Sequence, residues 1–185
     1  MLRSNASQQS KQSQGQAEQR QMNADLFTLT YGALIMDLIN DLDETTEVNS
    51  KLDKIGYQMG LRMADDFLAK NPRIGRCASV QQLSEVLAKQ AFKLYLGVEA
   101  TVQFMSSEEF QLRLESNPLV EFVEIPPEYK DLCYSQVICG AIRGAMEAIH
   151  LEVSTQLLSD VPNPTIVRVK FARVLHEAMP AGDDD

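Results

Sequence analysis

Cys77 is the residue of this chain best placed to act as a nucleophile. It lies in the loop NPRIGRCA, Asn71 to Ala78, two residues ahead of Ser79, which forms a capping box with Gln82 at the start of a predicted helix. A helix N-terminus and the nearby guanidinium groups of Arg73 and Arg76 both favour thiolate over thiol, so the pattern predicts a reactive sulfur. The plainer alternative is an unremarkable loop cysteine. Nucleophilic catalysis would also require a base, and the two histidines, His150 and His176, stand in no recognisable spacing with Cys77 or with an orienting carboxylate. A cysteine hydrolase would need that base, and turnover surviving both His150→Ala and His176→Ala would remove this reading. His150 reads more simply as a partner of Glu147 on the same helix.

The remaining chemistry is sparse. Cys133 and Cys139 lie six residues apart on a predicted helix and diverge by about 120°, as core fillers would. Three cysteines so placed make neither a disulfide framework nor a zinc site. There is no phosphate-binding glycine loop, no HExxH and no calcium-loop pattern, so no metal or nucleotide site is expected. Acidic runs such as Asp65 with Asp66 and Asp183 to Asp185 read as solvated faces or tail.

The elements that must hold Cys77 follow from periodicity. From Asn23, a candidate cap, apolar residues Leu26 to Leu42 recur at helical spacing. A second helix, capped by Thr45 or Thr46, carries Val48, Leu52, Ile55, Met59 and Met63 and ends near Pro72. Gly56 and Gly60 inside it each cost about 1 kcal/mol relative to alanine. Close approach of another helix would offset that, either within the core or at a subunit interface. The third helix, behind Cys77, buries Val80, Leu83, Leu87, Ala91 and Leu94 and ends at Gly97 in a left-handed cap.

The period then changes to two. Ala100 to Phe104 and Phe110 to Leu114 predict a hairpin, and Leu119 to Ile125 a strand or extended connection stopped by Pro126 and Pro127. A long helix is expected from about Leu132 to Leu158, with Gly140 and Gly144 repeating the small-residue spacing, and a last strand from Ile166 to Ala172. This order implies an α+β fold of two layers, with helices packed on one face of a twisted antiparallel sheet.

Composition narrows the class. The chain has 185 residues, 44% hydrophobic and 23% charged, enough for one conventional core. A formal charge of -9 opposes attraction to nucleic acid and anionic membrane. Residues 1 to 22, rich in Gln and Ser, read as a disordered tail, residues 23–182 as one domain and residues 183–185 as an acidic tail. No secretory or myristoylation signal is expected from MLRSNASQQS, and the apolar segment from Cys133 to Ile149 is too short and too interrupted to span a bilayer.

Several blocks closely resemble the bet-three family of small TRAPP subunits. They are ADLFTLTYGALIMDL (Ala24 to Leu38), KLDKIGYQMGLRMADDFLAK (Lys51 to Lys70), IGRC (Ile74 to Cys77), AKQAFKLYLGV (Ala88 to Val98), NPLVEFVEIP (Asn117 to Pro126) and CGAIRGAMEA (Cys139 to Ala148). The resemblance covers nearly everything from Asn23 to Gly182. It implies a helix-mediated dimer with related subunits or with a second copy, and membership of the TRAPP assembly, which tethers vesicles between endoplasmic reticulum and Golgi. It further implies nucleotide exchange on a Rab-type small GTPase by several subunits together, so the chain alone would not be an enzyme. It places the chain in the cytoplasm, peripheral at cis-Golgi and endoplasmic reticulum membranes. No cofactor is implied beyond palmitate, because the family's self-acylated cysteine falls on Cys77. Its fatty chain would lie in an internal apolar tunnel, for which Leu87 and Ala91 are the candidate lining. The C-terminal residues Pro180, Ala181 and Gly182 would approach the GTPase. A rival reading makes the acyl chain cargo or substrate for transfer to a second protein.

Overall fold

The computed structural model describes residues 23–75, 77 and 79–175. Its elements follow in the order α1 (Ala24–Asp41), α2 (Thr45–Lys70), α3 (Val80–Val86), a π-helical turn (Leu87–Ala91), α4 (Phe92–Leu96), β1 (Thr101–Phe104), β2 (Glu109–Leu114), α5 (Gln136–Ala148), β3 (Leu151–Ser159) and β4 (Thr165–Val174). Two short 3-10 turns, Pro118–Val120 and Pro127–Tyr129, lie between β2 and α5. The four strands form one antiparallel sheet in the order β1-β2-β4-β3. Phe110, Leu112, Leu114, Val167, Val169 and Val153 are buried on one face. Arg113, Lys170, Ser154 and Gln156 are exposed on the other. Helices therefore cover a single face of the sheet, as expected from the element order.

Most of the predicted elements are present. Asn23 caps α1 by accepting from the backbone of Asp25 and Leu26. Gly97 closes α4 at φ 73 in the left-handed region, where glycine carries no Cβ penalty. The cap of α2 differs: Glu44 occupies the cap position without a side-chain bond, and both Thr45 and Thr46 lie inside the helix.

The segment from Leu132 to Leu158 is not one helix. α5 spans Gln136–Ala148, and after His150, at φ 62, the chain turns into β3. Pairing with β4 overrides the apolar run: Val153 faces Phe171, Thr155 faces Val169 and Leu157 faces Val167. His150 is exposed beyond the helix, and only its backbone N–H reaches Glu147, donating to the carbonyl. The Glu147 carboxylate instead takes the hydroxyl of Tyr57, which holds that phenol above its ordinary range. Cys133 likewise precedes α5 and is half-buried, whereas Cys139 is fully buried. From Leu119 to Ile125 there is no strand; Pro118 starts a single 3-10 turn, and Asn117 accepts from the Leu119 amide.

The crossing of α2 and α5 decides what the glycines are for. A Cβ on Gly56 or Gly60 would collide with the carbonyl oxygens of Val137 and Ala141, and one on Gly140 or Gly144 with those of Asp53 and Tyr57. The two backbones meet directly, so the small-residue spacing serves an internal contact rather than a subunit interface. Asp53 fastens the same crossing from the side, accepting from Gln136 at 3.1 Å and pairing with Arg143.

A buried polar cluster ties the other end of α5 to the sheet. Asn117 donates to Ser135 Oγ and Thr165 Oγ1, both at 2.9 Å, and Ser135 donates from its amide and hydroxyl to Asp160, both at 2.7 Å. The carboxylate thereby caps a helix whose own cap residue makes no side-chain cap bond, and every buried polar group in the set is satisfied.

Candidate functional site

The loop that carries Cys77 is held at both ends. Asn71 closes α2, its amide bonding Phe67 and Leu68 and its side chain returning to the Phe67 carbonyl at 2.8 Å. At the other end Ser79 accepts from the Gln82 amide at 3.2 Å, as the capping box predicts for α3. Cys77 is half-buried between them and packs against the hydrophobic core.

That burial reverses the expected chemistry of the sulfur. Desolvation raises the Cys77 thiol above the ordinary cysteine value, so the site does not stabilise a thiolate. Arg73 is exposed, and Arg76 lies outside the described residues. Alkylation by iodoacetamide of Cys77 freed of any acyl group by hydroxylamine is therefore expected to rise by roughly tenfold per pH unit from pH 7 to beyond 8.5, since only the thiolate reacts. A plateau below pH 8 in a stopped-flow or mass-based rate profile would show instead a thiolate stabilised by its surroundings.

The helix behind the cysteine is irregular at the residues named from the sequence. Leu87 and Ala91 bracket the π-helical turn; Leu87, Ala88 and Phe92 are buried, and Ala91 is half-buried against the core. The wider turn bonds Phe92 to the Leu87 carbonyl and releases the Ala88 carbonyl, which accepts from the Ala100 amide at 3.0 Å. One extra residue in the helix thus anchors the approach to β1. Simple i, i+4 counting does not reveal it.

Tyr95 on α4 fixes this helix against α2, donating to Asp66 Oδ2 at 2.8 Å and, in a shared arrangement, to the Met63 carbonyl at 2.9 Å. Asp66 is therefore more than the solvated charge expected from its acidic neighbour. Its bonds from Lys70 and Tyr95 hold it below the usual carboxylate range.

No catalytic partner accompanies Cys77 among the described residues: His150 belongs to the turn between α5 and β3, and His176 lies outside them. Pro180, Ala181 and Gly182 also fall outside the described residues. Among those described, no helix is long and apolar enough to cross a membrane.

A family model for the transport protein particle (TRAPP) component matches residues 27–172. The chain belongs to the TRAPP family. It is 46% identical over 176 residues to the trafficking protein particle complex subunit 3 homolog of Caenorhabditis briggsae, covering 93% of this chain and 97% of that one. The complex subunit BET3 of Saccharomyces cerevisiae is 36% identical over 170 residues, covering 88% of each. A crystal structure of a trafficking protein particle complex subunit 3 from Naegleria fowleri, covalently bound to palmitic acid, matches with a TM-score of 0.78 and 34% identity, over 84% of this chain and 98% of that one. Both relatives are named as subunits of a trafficking protein particle complex.

Proposed function

We propose that this TRAPP subunit carries a long acyl chain, palmitate or a close equivalent, on Cys77, with the chain buried in the apolar interior beside Leu87 and Ala91. The observation that carries this reading is a half-buried cysteine packed on the core of a chain whose Naegleria fowleri relative is covalently bound to palmitic acid. In the reaction the Cys77 thiolate attacks the carbonyl of an acyl thioester. A new sulfur–carbon bond forms, the donor's breaks, and the donor thiol leaves with the proton that Cys77 lost. The raised thiol makes this slow, which suits a single structural modification.

The rest of the reading is a core subunit of the assembly that tethers vesicles between endoplasmic reticulum and Golgi, peripheral at those membranes and in the cytoplasm otherwise. It supports nucleotide exchange on a Rab-type GTPase only as part of the assembly, with Pro180 to Gly182 near the GTPase. Association with related small subunits would use α1. Leu26, Leu29 and Met36 are 59%, 64% and 58% exposed on that helix, opposite the buried Tyr31 and Ile35. Such a row of large apolar side chains at helical spacing is what a partner helix covers.

Intact mass of the natively purified protein tests the central claim. The mass is expected to exceed that of the polypeptide by one long acyl group, removable by hydroxylamine, and Ala91→Leu is expected to lower the modified fraction. An unmodified mass would overturn it. In the same preparation Leu29→Glu is expected to lose the copurifying small subunits, and retention of them would move the interface off α1.

A further inference from the structure

The loop after β2 presents an exposed aromatic ring. Phe122 is 64% exposed, directly after the 3-10 turn Pro118–Val120. Its support is fixed: Leu119 is buried, Asn117 belongs to the buried polar cluster, and Thr28 of α1 donates to the Pro118 carbonyl at 3.2 Å. Just before it, Val120 and Glu121 line a surface hollow of about 280 Å³ together with Leu114, Glu115 and Pro164. Among the described residues, no lysine or arginine lines this hollow. Glu115 is paired with Arg113, whereas Glu121 and Glu124, on either side of Phe122, have no hydrogen bond or ion pair among the described residues.

We propose that this surface docks a segment of a neighbouring TRAPP subunit in which an apolar side chain stands beside an arginine or lysine. The apolar group would cover Phe122, and the cation would enter the hollow against Glu121. Unpaired carboxylates around an aromatic anchor select a cationic partner and disfavour the alternatives. In a two-fold contact a second copy of this surface would bring Glu121 and Glu124 against their own equivalents, with no cation to meet them. Anionic lipid headgroups would be repelled in the same way. The proposal rests on the chain working inside the assembly.

A photo-crosslinking phenylalanine analogue at position 122, in the complex assembled from co-expressed subunits, tests this. The crosslink is expected to fall on another subunit, on a peptide with arginine or lysine within about four residues, roughly one helical turn, of the linked atom. Glu121→Lys in the same chain is expected to reduce its yield by about tenfold. The exposed Glu121 should leave the melting temperature unchanged, which separates lost docking from lost folding. A crosslink to a second copy, to lipid or to a segment without a cation would overturn the proposal, as would no crosslink in an intact complex. Failure of the chain to assemble with any subunit would overturn the membership reading and the proposal together.

Discussion

Gly140→Val is expected to leave the chain unfolded at ordinary temperature. At the α2–α5 crossing the obstacle to a side chain is the carbonyl of Asp53, which is part of a helix backbone and cannot rotate aside. Relief requires the two helices to separate, and with them the buried residues they share, among them Leu52, Val137 and Ile142. Overpacking against side chains costs about 1–3 kcal/mol. Against backbone on both sides even Gly140→Ala should exceed about 3 kcal/mol, a large share of the roughly 5–15 kcal/mol by which domains are stable. Gly75→Ala is the contrast, because a Cβ there meets nothing within 4 Å among the described residues and should stay within about 0.5 kcal/mol of the parent. Urea unfolding of the three proteins checks the order, and a Gly140→Ala variant as stable as Gly75→Ala would mean that the helices do not meet at these carbonyls.

The second large effect concerns Cys77→Ser. If the acyl chain lies in the core, burial at about 0.8 kcal/mol per methylene gives an upper bound near 10 kcal/mol for a long chain. The net loss is smaller, because the tethered chain already hides part of its surface in the unfolded ensemble. A loss of about 2–4 kcal/mol should lower the melting temperature by about 4–16 °C for a domain of this size. Membrane recruitment of the complex is expected to stay largely intact, because an inward chain does not reach the bilayer. Calorimetry of the natively purified protein beside Cys77→Ser, with membrane fractionation of both, separates the outcomes. Unchanged melting with lost recruitment would place the chain outside the core.

Both effects concern features visible in the sequence whose meaning was not. The repeated four-residue spacing of Gly56 with Gly60 and Gly140 with Gly144 announces that two backbones come close. It does not say whether both belong to one chain, because small residues serve an internal crossing and an interface equally. The Cys77 loop shows the opposite case. Its helix cap is local, and Ser79 accepts from the Gln82 amide as read. The sulfur's acidity depends on how much of the core closes around it, which loop residues do not encode.

β3 was hidden for a related reason. Val153, Thr155 and Leu157 alternate with Glu152, Ser154 and Gln156, a period-two signal that lay within an apolar run continuous with α5. The strand exists because β4 supplies a partner at that edge of the sheet. The π-helical turn at Leu87–Ala91 is another case: its released Ala88 carbonyl is stable because the Ala100 amide, in another element, takes it.

By itself the sequence determined what depends on neighbours along the chain: the helix caps at Asn23 and Ser79, the left-handed stop at Gly97, the β1–β2 hairpin, the α+β class and, through long matching blocks, the family. Tertiary structure alone decided what depends on groups distant in the chain. It set the burial that raises the Cys77 thiol, the partner that turns Leu151–Ser159 into a strand, the cluster that uses Asp160 to cap α5, and the pairing of the four glycines within one chain. Capping and turn geometry are satisfied within a few residues, whereas desolvation and backbone approach exist only once separate elements have packed.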